Sequence, residues 1–198
     1  MMLTEQTRVP EAALPVSAFK DHLRLGRGFE DDDLQDELLG SYLRAAIAAI
    51  EGRTAKVLVT RAFRWRVGRW RDAAAQPLPL APVSEITELR LIARDGGESV
   101  VDPAQYRLEP DMHRPHLRPT GALLTAVPPG GAARIAFEAG FGSSWEDVPA
   151  DLAQAVMLLA AEYHTQRLAA DAGTPEMPFG VHTLIERWRT VRLFGGVS

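Results

Sequence analysis

Apolar residues recur every three or four positions at Leu34, Leu38, Tyr42, Ala46 or Ile47, and Ile50, which predicts a long amphipathic helix over 31–51 with Gly52 placed to end it. Leu152, Val156, Leu159 and Tyr163 repeat the stripe and predict a second helix over 149–168, whose Pro149 suits a first turn. A shorter helix over 16–24 carries Phe19 and Leu23 on one face, with Ser17 as its N-cap. Beyond a break marked by Gly173, Pro175 and Pro178, the residues Val181, Leu184, Ile185 and Trp188 give one more short amphipathic helix.

Between the long helices the period falls to two. Phe63, Trp65 and Val67 alternate with Arg64 and Arg66, which puts aromatics on one side of a strand and guanidiniums on the other. After an Ala- and Pro-rich linker over 73–82, a strand runs from Ile86 to Ala93. Asp95-Gly96-Gly97 signals a hairpin, and Ser99 to Val101 returns antiparallel. Short strands are expected at Tyr106 to Leu108 and at Arg134 to Phe137, with Pro128-Pro129-Gly130-Gly131 as the turn before the last. The order is α, then β, then α: an α+β fold, mainly α, in which a small helical bundle carries an inserted antiparallel β region over 58–140. Residues 1–172 read as one domain and 173–198 as a C-terminal helical extension.

With 198 residues, 46% hydrophobic and 24% charged, the chain has an ordinary globular composition. A domain of this size buries roughly 70% of the surface its unfolded chain exposes. The absence of cysteine excludes disulfides, thiolate catalysis and Cys-ligated metal sites. Glu5, Arg8 and Glu11 interrupt the first fifteen residues, so no signal-peptide core is read there. The longest apolar run, Ala155 to Ala161, falls far short of the ~20 residues of a membrane span. The expected compartment is the cytoplasm. The net charge of −4 is unevenly laid out: residues 1–51 hold ten acids and five bases, and the remainder sixteen acids and seventeen bases.

No stretch carries a catalytic signature. Asp111, His113 and His116 are close in sequence, but the prolines around them leave the imidazoles without a preorganised metal geometry, and they read as exposed loop histidines. Gly140-Phe141-Gly142 lies between a strand and a helix as a dinucleotide fingerprint would, yet Trp145 replaces the third glycine and no strand follows the helix. Glu30-Asp31-Asp32-Asp33 lacks the spacing of a calcium loop and complements the positive end of the helix that follows. Gly-x-Ser-x-Gly and His-Glu-x-x-His are absent. Arg61, Arg64, Arg66, Arg69 and Arg71, interleaved with Phe63, Trp65 and Trp70, suit either phosphate with base stacking or a protein interface, where Arg and Trp concentrate. With an acidic N-terminal region available on a neighbouring copy, subunit contact through Arg61, Arg64, Arg66 and Arg69 is the favoured reading.

From about Leu14 to Arg167 the chain resembles one family, the head-to-tail connector (adaptor) proteins of long-tailed phages and phage-derived gene transfer agents. The resemblance rests on Pro15-Val16-Ser17 with the helix ending His22-Leu23-Arg24, on Asp31-Asp32-Asp33, on Leu58 to Phe63, and on Ala81-Pro82-Val83-Ser84-Glu85-Ile86. It continues through Asp95-Gly96-Gly97, Asp102-Pro103-Ala104-Gln105-Tyr106, and Phe137 to Gly142 leading to Val148-Pro149. It implies a structural virion protein without enzymatic activity, cofactor or metal, assembled in the cytoplasm into a particle neck. The implied assembly is a homo-oligomeric ring, dodecameric in the family, beneath the portal. There it joins the portal to neck, stopper and tail proteins while DNA passes through the central channel without sequence-specific binding.

Two residue sets take their expected roles from that implication. Asp31, Asp32 and Asp33 would face the channel and repel DNA so that it slides. The C-terminal segment, with no evident place in a core already completed by the 149–168 helix, would expose Phe179, Leu184, Trp188 and Phe194 and dock into the portal with Arg189 and Arg192. The alternative reading is a DNA-binding accessory protein of particle assembly, whose affinity would fall steeply with salt.

Overall fold

The computed structural model describes residues 2–23, 33–166 and 177–189. Two compact units are present: residues 1–10 with 56–147, and residues 11–55 with 148–198.

The first unit is β. Strands β1 (Met2–Glu5), β2 (Arg61–Val67), β4 (Val83–Ile92), β5 (Glu98–Val100) and β8 (Ala132–Ala139) form a five-stranded antiparallel sheet in the order β1-β2-β8-β4-β5. Strands β3 (Gln76–Pro77), β6 (Tyr106–Glu109) and β7 (His116–Pro119) form a smaller sheet, ordered β3-β7-β6. Alternation in β2 drives the packing: Arg61, Phe63, Trp65 and Val67 are buried, whereas Arg64 and Arg66 are exposed. Phe63 lies opposite Phe137 of β8, their rings stacked with centroids 5.8 Å apart. These rings join Leu89, Ile135 and Leu117 in one core. Lys56 is fully buried; burial pushes its ammonium below the usual lysine range, with the charge of Asp111 acting in the opposite direction.

After β8 the chain leaves the sheet through a turn that only glycine accommodates. Gly140 has φ +146°, and a Cβ there would lie 2.3 Å from the Thr60 Cα. At Gly142 a Cβ would come within 2.2 Å of an Asp147 carboxylate oxygen. That carboxylate accepts from the Ser144 N–H and hydroxyl, both at 3.0 Å, and holds the turn. Close packing thus accounts for the Gly-Phe-Gly sequence.

The second unit is helical: α1 (Val16–His22), α2 (Asp33–Thr54), α3 (Ala150–Gln166) and α4 (Phe179–Ile185). In α2 the buried face is Leu39, Leu43, Ala46, Ile47 and Ile50, one position on from the predicted Leu38 and Tyr42, which are half-buried; α3 buries Leu152, Ala155, Val156, Leu159 and Ala160. Helices α2 and α3 pack together, and α4 packs on α3 with Val181 and Ile185 fully buried.

The expectation of a mainly α fold is overturned. Eight strands in two antiparallel sheets stand against four α-helices among the described residues, with 38% helix and 28% strand. The reason lies in the strands the pattern hides. Every residue of β1 is exposed, so no alternation marks it. Strand β3 has two residues, and β7 combines a histidine with a proline, so that His116, read as a loop residue, is paired in a strand with Glu109 and Pro77.

Candidate interaction surfaces

The outer face of the five-stranded sheet follows from register. Arg66 is opposite Arg134, and Arg134 opposite Arg90; one row along, Arg64 is opposite Ala136, and Ala136 opposite Glu88. On the β4 and β5 side the charges neutralise one another. Arg90 holds Glu88 with two bonds, at 2.6 and 2.7 Å, and Arg134 donates to Glu98 at 2.8 Å. These hydrogen bonds hold both carboxyls below the usual range, Glu88 through Arg90 and Glu98 through Arg134. On the β1 and β2 side Arg64 and Arg66 stand exposed, followed by the exposed Arg69 and Arg71. Among the described residues none of these four forms an ion pair.

The predicted arginine set is therefore divided. Arg61 is on the core side of β2, 6% exposed, joined to Glu5 of β1 at 3.2 Å, with its guanidinium 5.5 Å from the Phe63 ring centroid. It secures the edge strand. Arg64 and Arg66 share the outer face, and Arg69 lies beyond the end of β2.

The second surface lies at the start of α3. Asp151, in its first turn, accepts from the Trp188 indole N–H at 2.7 Å, from Arg187 Nε at 2.7 Å and from the Leu152 N–H at 3.0 Å. Burial acts to raise this carboxyl, but the three donors prevail and hold it below the ordinary aspartate range. Arg187 also covers the Trp188 ring, 4.8 Å from its centroid. Trp188 is only 7% exposed, which contradicts the expectation that the helix displays it to solvent. Its apolar place is on α3, which the sequence reading had taken as fully occupied. Phe179 is 86% exposed, Leu184 is half-buried, and Arg189 is exposed with an ion pair to Glu186 at 3.2 Å. Arg192 and Phe194 lie outside the described residues, as do Asp31 and Asp32; Asp33 is the first residue of α2.

Asp151 was missed because its partners are 36 and 37 positions away, and no local pattern links them. Asp111 accepts from the N–H groups of His113 and Arg114, and among the described residues no group of three metal-ligating side chains forms.

Solved structures decide the lineage. One chain, from the neck of an empty gene transfer agent particle with C6 symmetry, is 56% identical over 99% of both chains with a TM-score of 0.88. A second, from the virion of a native gene transfer agent particle, is 57% identical over 99% of both with a TM-score of 0.86. A third, from a native particle neck with C12 symmetry, is 52% identical over 99% of both with a TM-score of 0.84. The chain belongs to the head-tail connector family of gene transfer agents. No family model and no curated protein matches it. The connector is thus of a kind that serves as a structural component of the particle neck. None of its described helices is long and apolar enough to cross a membrane.

Proposed function

We propose that this connector assembles as a ring, joins the portal at the capsid vertex to further neck proteins and the tail, and lets DNA pass through the ring's channel. The observation that carries this reading is its likeness, over 99% of its length, to a chain in a particle neck with C12 symmetry. A ring with that symmetry needs only one head-to-tail contact repeated around the axis. The work done is binding, so surfaces rather than reactive groups carry the function. The acidic run Asp31-Asp32-Asp33 would repel the phosphates of DNA passing close to it.

The C-terminal helix is the proposed portal contact. Asp151 fixes Trp188 from below, and the helix so held presents Phe179, Leu184 and Arg189, with Arg192 and Phe194 following in sequence. An exposed phenylalanine on an anchored helix is a low-entropy anchor for an apolar pocket. In a producer strain lacking the connector, filled heads should accumulate without tails, and the wild-type gene should restore tailed particles. Normal tailed particles in the deletion strain would refute the reading.

A further inference from the structure

The outer face of the five-stranded sheet is neutralised over only half its width. Arg90 and Arg134 are paired with Glu88 and Glu98, whereas among the described residues Arg64 and Arg66 form no ion pair, Arg64 acting on Glu88 only through its charge, and Arg66 stands directly opposite Arg134. Like charges opposed on neighbouring strands destabilise a sheet. On the other side of β2, the residues in register with Arg66 and Arg64 are Met2 and Thr4, which supply no counter-charge. An outside anion is the missing element.

The aromatic residues argue against a nucleic acid as its source. Phe63 and Trp65 face the core, and Trp70 is half-buried with its indole N–H donated to the Thr125 carbonyl at 2.8 Å. The face that carries the arginines has no exposed ring on which a base would stack. A carboxylate surface fits better, and the chain has one. The β unit is nearly balanced, with 12 acids and 13 Lys and Arg residues, whereas the helical unit holds 14 acids and 9 Lys and Arg residues. In the helical unit Asp21 of α1 and Glu37 of α2 are exposed and make no ion pair among the described residues, and the nearby Lys20 is occupied by Asp36 at 2.5 Å.

We propose that the Arg64 and Arg66 face of one copy docks on the Asp21 and Glu37 surface of the next copy around the ring. The inference rests on the ring reading above. A head-to-tail ring requires two different, complementary patches on one chain, and these two carry opposite charge that forms no ion pair among the described residues.

The test complements a connector-deletion producer with Arg64→Glu/Arg66→Glu, with Asp21→Arg/Glu37→Arg, and with all four changes together. Tailed particles are counted by electron microscopy, and connector copies per particle by quantitative mass spectrometry. Each double variant should lower tailed particles at least tenfold, and the quadruple variant should restore them. Circular dichroism of the purified variants should show near wild-type melting, because all four side chains are exposed and none forms an ion pair among the described residues. Should the Glu variants unfold, Arg64→Gln/Arg66→Gln replaces them, with a smaller loss expected. Normal assembly by the Arg64/Arg66 variant overturns the interface while leaving the neck reading intact, since the wild-type control still assembles. Loss without rescue by the quadruple variant overturns the Asp21 and Glu37 assignment. Intact rings combined with lost, salt-steep DNA binding would assign the arginines to nucleic acid instead. Failure of the wild-type control to yield tailed particles overturns both readings.

Discussion

Removing the Asp151 carboxylate should loosen the C-terminal helix by an amount the structure sets. In Asp151→Ala the buried Trp188 indole loses the acceptor at 2.7 Å, which costs about 1–3 kcal/mol. Loss of a carboxylate from the first turn of α3 adds about 0.3–1 kcal/mol. The Arg187 contact adds little, because that side chain is 70% exposed and water screens it. The sum is about 1–4 kcal/mol, or roughly 3–16 °C in Tm for a chain of this size. Trp188→Phe removes the N–H together with the pyrrole part of the buried indole, so it costs about 1–3 kcal/mol for the lost bond and more for the space left behind. Because both changes delete one bond, the double variant should fall short of the sum by about 1 kcal/mol or more. Urea melts of the wild type, both single variants and the double variant measure this directly. An Asp151→Ala variant within about 0.5 kcal/mol of wild type, or full additivity, would refute the latch.

The same carboxylate sets a pH dependence. Its folded pKa lies below the unfolded value, so its contribution is complete above about pH 4 and is lost as pH falls through the folded pKa. The stability gap between wild type and Asp151→Asn should therefore be constant near neutrality and shrink in acid melts. Truncation after Ala172 removes the buried Val181, Ile185 and Trp188, each contributing about 1.5–3 kcal/mol, so the shortened chain should melt well below wild type in calorimetry. Gly140→Ala combines a glycine-only φ with a backbone clash and should cost about 2–6 kcal/mol, visible as poor soluble yield and a lowered melt. Phe179→Ser, at a position 86% exposed, should leave the melt within about 0.5 kcal/mol of wild type yet reduce portal co-purification.

Periodicity in the sequence located α2, α3 and the alternation of β2, because each of these elements buries one regular face. It missed β1, which buries no side chain and is held by main-chain pairing and by the Arg61 to Glu5 contact 56 residues away. It also grouped Arg61 with Arg64 and Arg66, although a strand sends alternate residues to opposite faces and Arg61 shares the core side with Phe63. The position of Trp188 was illegible for a similar reason. An amphipathic helix declares that it needs an apolar partner without naming it, and the acceptor that fixes the indole lies 37 positions earlier, in α3.

Electron microscopy of the neck in particles made with this connector tests the central claim most directly. The account predicts one ring of this chain between portal and tail, with the Phe179 helix against the portal and the β2 face of each copy against the α1 and α2 helices of the next. Particles that carry tails while lacking this chain, or that hold it outside the neck, would contradict it.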